Sequence, residues 1–325
     1  MKNMAGCMDS VGHERKKRLL SGKEKKMTTL FQDVMLEKVT ERVGGNCEIR
    51  IRKIGKNNGI EKTAIEAVKP GNNSGTLIYL EDFYREDITE SEMDRAADQI
   101  AETCCTELPI DKGSVVKNVT FWEYAKPRLV FRLVNAEWNA EHLEGHPHRE
   151  FLDFAVVYHI LLSGYDSEQF MTTAVTQDLL HQWGVSEDEL YKTAYDNMKE
   201  HFPEICQPLS DVLGILDPSE EEKPECELYL LSMGKMLYGA AALIYGEALR
   251  NLADRLESDI YILPSSIHEV LLLPAEERQD EDSLLYMVRS INRTQVRRQE
   301  WLSDNIYRYH RKNGSISVIR QAEAA

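Results

Sequence analysis

Apolar and polar positions along this chain repeat with two different periods, and the switches between them mark out its elements. From Thr28, TTLFQDVMLEKVTERVGG puts Leu30, Val34, Met35, Lys38 and Val39 near one helical stripe, with Gly44 and Gly45 as a stop. The spacing predicts an amphipathic helix. CEIRIRKI then alternates at period two, GKNNG supplies turn chemistry, EKTAIEAV continues extended, and GNNSG breaks the chain before TLIYLEDFY. That pattern predicts a three-stranded antiparallel meander. ITESEMDRAADQIAETCC returns to the helical period and opens with a Thr89 to Glu92 spacing that suits a capping box.

Past Pro109 the pattern is less even. RLVFRLVN reads as a strand, and AEWNAEHLEGHPH as a short helix ended by Gly145 and Pro147. FLDFAVVYHILL reads as one long half-buried strand with MTTAVT beside it. TQDLLHQWGVSEDELYKTAYDNMKEHF carries a helix cap at Ser186 and acids at Glu187, Asp188 and Glu189, where the helix dipole favours them. The acidic segment LDPSEEEKPECE has little to bury and reads as a loop. ELYLLS and MLYGAAALIY are predicted strands, GEALRNLADRLE a helix, DIYILPSS and IHEVLLLP strands, and EDSLLYMVRSINRTQV a helix. WLSDNIYRYHR is a further short helix running into a strand or tail.

Helices interspersed with hairpins predict an α+β fold with mixed, mostly antiparallel sheets and helices packed on them, in two subdomains. The first, residues 27–145, holds helix, meander and helix. The second spans residues 146–310. Residues 1–26 read as a basic disordered tail and 311–325 as a flexible one. No internal repeat is visible.

Composition narrows the function classes. At 325 residues, 42% hydrophobic and 29% charged, the chain has the make-up of an ordinary globular protein of one large or two modest domains. Its longest apolar run, LYGAAALIYG, falls short of the roughly 18 residues a membrane span needs. The six cysteines, Cys7, Cys47, Cys104, Cys105, Cys206 and Cys226, make no CxxC pair and no regular framework, and no signal-peptide pattern precedes them. Reduced thiols in the cytoplasm are the expectation. Of the net charge of −16, about +5 falls on the first 26 residues and about −21 on the rest. A body of that sign repels phosphate backbones, so nucleic acid is expected, if anywhere, only at the basic tail.

An ordered series of motifs carries a family resemblance. KNNG with IYLEDFY (residues 56–59 and 78–84), PHREFLDFAVVY (147–158), WGVSEDELY (183–191), YGAAALIY (238–245), ILPSSIHEVLLLP (262–274), and NRTQV with LSDNIYRY (292–296 and 302–309) resemble DUF5688, a bacterial domain of unknown function found in clostridial genomes. The similarity runs from Met27 to about His310 and implies no particular reaction. WGVSEDELYKTAYDN is also similar to a segment of the DUF1444 group.

Four stretches hold candidate chemistry. In YILPSSIHEVLLLP, Ser265, Ser266, His268 and Glu269 bring two hydroxyls, an imidazole and a carboxylate into five positions. On an extended chain Ser266 and His268 share a face but stand roughly 6.6 Å apart, so a contiguous triad fails. A hairpin corner with hydroxyls bonding local backbone competes with a hydrolase site. In HLEGHPH, Gly145 and Pro147 make a loop whose usual outcome is a solvated turn, while His142, His146 and His148 with Glu144 have spacings that suit a metal if Asp153 or His159 converges on them. Glu81 and Asp82 of YLEDFY are paired carboxylates at a strand end, suited to a cation or to blunting an edge. Arg293, Arg297 and Arg298 form a basic patch suited to an anionic ligand or to the chain's own carboxylates. No P-loop, GxGxxG, HExxH or GxSxG occurs, and no cofactor is implied. The reading is therefore a binding or interaction protein whose acidic surface faces a protein partner. The alternative is a hydrolase using Ser265 or Ser266 with His268 and a remote acid. A third is an acidic mimic of nucleic acid.

Overall fold

The computed structural model describes residues 29–71, 75–105, 118–163, 165, 170–214, 227–275 and 280–319. The basic tail 1–26, the acidic loop 216–227 apart from Glu227, and residues 320–325 lie outside them. Two compact units divide the chain between Phe121 and Trp122. A boundary at residue 145 would separate strands that pair along their whole length, from Leu129↔Ile160 to Asn135↔Phe154, and so cannot stand.

In the first unit, α1 (Thr29–Val43) and α2 (Glu90–Cys105) cover the meander β1 (Glu48–Lys56), β2 (Ile60–Val68) and β3 (Gly75–Tyr79), which is antiparallel in that order. The buried stripe of α1 is Phe31, Met35, Val39 and Val43, one residue every fourth position. Leu30, expected in that stripe, is 73% exposed. These side chains meet Ile65, Ala67, Leu80, Ala97, Ile100 and Cys104 in one core. Lys38 and Arg42 cross to Asp94 at 2.8 Å each, tying the two helices together at their rims. The capping box forms: Thr89 N–H donates to Glu92 Oε2 at 2.9 Å and Glu92 N–H to Thr89 Oγ1 at 3.3 Å. Those bonds and Arg85 hold the Glu92 carboxyl down to about 2.

The second unit contains two further antiparallel sheets. In the smaller, β6 (Phe154–Leu161) is flanked by β4 (Leu129–Asn135) on one edge, and on the other by β5 (His148–Phe151) and then β7 (Thr172–Ala174). FLDFAVVYHILL is thus not one strand, because Leu152, at φ +58°, turns the chain between β5 and β6. Nor is it half-buried: every residue of β6 is buried.

α3 (Gln177–Trp183) and α4 (Glu187–His201) follow, and Ser186 caps α4 by accepting from Glu189 N–H at 3.2 Å. The larger sheet runs β13-β12-β10-β11-β9-β8, from β8 (Glu204–Pro208), β9 (Tyr229–Met233), β10 (Ile260–Pro264), β11 (Val270–Pro274), β12 (Ile306–His310) and β13 (Ser315–Ile319). Between these strands lie α5 (Glu247–Leu256) and α6 (Glu281–Gln295), the latter packing Leu284, Leu285 and Val288 on one face of the sheet.

Three expectations change here. WLSDNIYRYHR supplies strand β12 and no helix. Residues 315–319 of the presumed tail are strand β13, paired from Ile306↔Ile319 to His310↔Ser315. MLYGAAALIY is helical turns, Gly239–Ala241 and Ala242–Tyr245, where small residues let the backbone coil tightly against β9. Among the described residues no helix is long and apolar enough to cross a membrane.

Candidate functional site

The Pro264↔Val270 pair closes the β10–β11 hairpin, so Ser265 to Glu269 are its connection. Ser265 and Ser266 hydroxyls both donate to Glu269 Oε1, at 3.1 and 2.9 Å, a side-chain acceptor beside the local backbone contact expected of them. Ser266 Oγ also accepts from the His268 backbone N–H at 3.0 Å. The His268 ring turns away and places Nδ1 3.2 Å from Met236 O. A general base must stand within roughly 2.6–3.2 Å of the hydroxyl it activates, and neither serine is hydrogen-bonded to the imidazole. No carboxylate orients that ring among the described residues. The sequence brings these four residues together, and the turn assigns them to one another.

The same turn supports a neighbouring loop. Ser232, fully buried on β9, donates to His268 O at 2.9 Å, and Gly239 is wedged against both groups. The loop 234–239 holds Lys235, Met236 and Tyr238 at φ +59°, +56° and +50°. Non-glycine residues in the left-handed region cost about 1–3 kcal/mol each and persist where surrounding structure fixes them. What this strain delivers is the ring of Tyr238, stacked near-parallel on His268 with centroids 6.3 Å apart.

Tyr238 reaches the outer face of the smaller sheet. Strand alternation and the pairs Val130↔His159 and Arg132↔Val157 put Arg132 and His159 on one face, opposite the face where Tyr158 bonds Glu187 of α4. The Tyr238 ring centre is 5.6 Å from the His159 ring centre and 5.6 Å from the Arg132 guanidinium carbon. Its hydroxyl shares a 2.8 Å hydrogen bond with Thr172 of β7.

On the other flank, the one-turn helix Ala140–Leu143 packs Leu143 on Val134, Ala155 and Val157. This places His142 beside the face, its ring stacked on His146 at 3.9 Å. His159 is 7% exposed, and neither of its ring nitrogens has a hydrogen-bond partner; Arg132 Nε is likewise enclosed and unpartnered. Burial holds the His159 imidazole well below its usual value of 6.5, with Arg132, His142 and His146 adding to the effect. Burial, then His146 and Arg132, push His142 down to about 4, although its outer edge is open to solvent.

The remaining candidates disperse. His142 and His146 lie near enough to His159 to disfavour its charging, but Asp153 accepts from Tyr307 OH at 2.7 Å and Asn305 Nδ2 at 2.8 Å. His146 Nδ1 lies 2.7 Å from His142 O, and His148 Nδ1 2.9 Å from His146 O, so both rings are engaged with local carbonyls. Among the described residues no three His, Cys, Asp or Glu side chains converge on a metal position.

Glu81 and Asp82 sit on a 3-10 turn, Leu80–Asp82, and not on a strand. Glu81 Oε1 accepts from Thr63 N–H at 2.6 Å while Asp82 is exposed, so the carboxylates diverge. Arg293 pairs with Asp304 at 3.3 Å, and Arg297 lies exposed. Of the cysteines, Cys47 and Cys104 are buried and free, and burial pushes the Cys104 thiol up to about 11.

Fold and site together define an α+β protein with a half-buried arginine and a buried histidine, Arg132 Nε and both His159 nitrogens unpartnered, on the face of a small antiparallel sheet, fronted by a tyrosine on a strained loop. The chain belongs to DUF5688, a family of unknown function, whose model matches residues 28–311. No curated protein and no solved structure matches it.

Proposed function

We propose that this protein works by binding a ligand at the Arg132–His159 face, and that the Ser265–Glu269 turn is a support for that face. The observation that carries this reading is the enclosure of Arg132 Nε and both His159 nitrogens without partners. Buried polar groups are ordinarily hydrogen-bonded, and those left open in a folded protein mark strain or a missing partner. The strained loop that presents Tyr238 supports the same place.

The hydrolase alternative has less support, since each serine hydroxyl is committed to Glu269. The net charge of −16 supports a second surface, the acidic exterior, for a basic protein partner, with a salt-sensitive complex as its signature.

A thermal-shift screen of neutral, cationic and anionic small molecules tests the main reading. At least one class raises the melting temperature of the wild-type chain, and the shift is lost in Tyr238→Ala. Ser265→Ala with Ser266→Ala keeps it, and an active-site fluorophosphonate probe labels neither serine. A screen in which no class binds, or covalent labelling of Ser265 or Ser266, sinks the binding proposal.

A further inference from the structure

The ligand class follows from what surrounds the open groups. The chain carries 55 Asp and Glu against 39 Lys and Arg, so a carboxylate partner for Arg132 was available many times over. None is placed there: among the described residues no acid acts on Arg132, whose guanidinium carbon lies 5.6 Å from the Tyr238 ring centre and which disfavours the charging of His159 and His142. Arg132 is half-buried with its Nε enclosed, and a guanidinium partly withdrawn from water without a counter-charge is costly, a cost relieved when an anion is supplied. A metal cation is the wrong occupant, because Arg132 sets a positive potential at the histidines that would have to ligate it.

We propose that Arg132, with His159, His142 and the Tyr238 hydroxyl, forms a binding site for a small oxyanion, a phosphate or a carboxylate group. This rests on the binding reading above and assigns its ligand. The guanidinium presents paired donors that match two oxygens of either anion. His159 has two free ring nitrogens, so it can accept a proton and donate to the same group from the β6 side. Tyr238 now shares its hydroxyl with Thr172 and turns that donor toward the anion. The clefts that stand out on the described surface are elsewhere, one lined by Phe83, Arg85 and Arg95 and the other by Pro203, Glu204 and Tyr245.

The test is a titration of full-length protein, labelled at histidine ring carbons, with sodium phosphate, sodium acetate and sodium chloride at matched ionic strength. Phosphate or acetate shifts the His159 and His142 resonances saturably, and chloride does not. A response to phosphate alone assigns a phosphoryl ligand, and a response to acetate a carboxylate one. Arg132→Met weakens the responding anion at least tenfold, while Arg132→Lys, which keeps the charge and loses the fork, falls between. Tyr238→Phe weakens it a few-fold.

Tryptophan emission from Trp122, Trp138, Trp183 and Trp301 checks that each variant is folded, since all four lie in this unit. Equal shifts with chloride, no saturation with either anion, or full affinity in Arg132→Met overturns the oxyanion assignment. A neutral or cationic ligand that binds at Tyr238 overturns it too and leaves the binding reading standing. A protein that binds no class at all removes both.

Discussion

Gly239→Ala unfolds its unit at markedly lower urea than the wild type, a loss of about 3 kcal/mol or more. A Cβ at this position meets Ser232 Oγ at 1.9 Å and His268 O at 2.0 Å, with Met233 N at 2.9 Å. Two of those three atoms are backbone and cannot swing aside. The third is committed to the 2.9 Å hydrogen bond with His268 O that joins β9 to the β10–β11 turn. Relief therefore needs the turn or the loop 234–239 to move as a body, and either motion takes Tyr238 away from Arg132 and His159.

Gly246→Ala is the control. There φ is +68° with nothing within 4 Å, so the alanine costs only its backbone conformation, about 1–2 kcal/mol. Urea unfolding read by tryptophan emission separates the two. Equal midpoints for Gly239→Ala and wild type would show that the packing of Gly239 is not what holds the loop.

The same close packing explains where the sequence was readable and where it was not. Local signals held. The period-two run CEIRIRKI became β1, Thr89 and Glu92 capped α2 reciprocally, and Ser186 capped α4. These depend on residues within a turn or a strand of one another. MLYGAAALIY failed as a strand because an apolar run carries no period of its own, and its alanines and glycines serve a coil pressed on β9.

The site was hidden for a related reason. Ser265, Ser266, His268 and Glu269 drew the eye by adjacency, yet their adjacency is what satisfies them locally. Arg132 and His159 are 27 positions apart and meet through the β4–β6 register, which no local pattern encodes. A signal was present all the same: each is the one strongly polar side chain inside a strand whose neighbours are apolar on both sides, RLVFRLV and AVVYHIL. In a strand buried on both faces, that is a residue to explain.

Acid weakens the ligand-free protein in a way that traces to His159. Its imidazole is held neutral in the folded state, well below 6.5, and regains the ordinary value of 6.5 when the chain unfolds. The unfolded state therefore binds the extra proton, so stability is full above pH 6.5 and falls as pH drops below it. One such group contributes a slope of about 1.4 kcal/mol per pH unit until the folded value is reached.

The groups facing the ring are Arg132 from β4, His142 and His146 from the one-turn helix and the residues after it, and Tyr238 from the loop. None is an acid that would rescue the imidazolium. His142, pushed down to about 4, acts in the same direction, and its open edge lets solvent reduce its share.

Urea midpoints by tryptophan emission at pH 7.0, 6.0 and 5.0 measure the slope above the range where carboxylates titrate. His159→Leu flattens most of it and leaves stability at pH 7.0 equal or higher, because leucine fills the same buried place without orphaned nitrogens. Saturating oxyanion reverses the trend in the wild type, since the anion stabilises the imidazolium that acid creates. A slope unchanged in His159→Leu would assign the acid sensitivity to other groups.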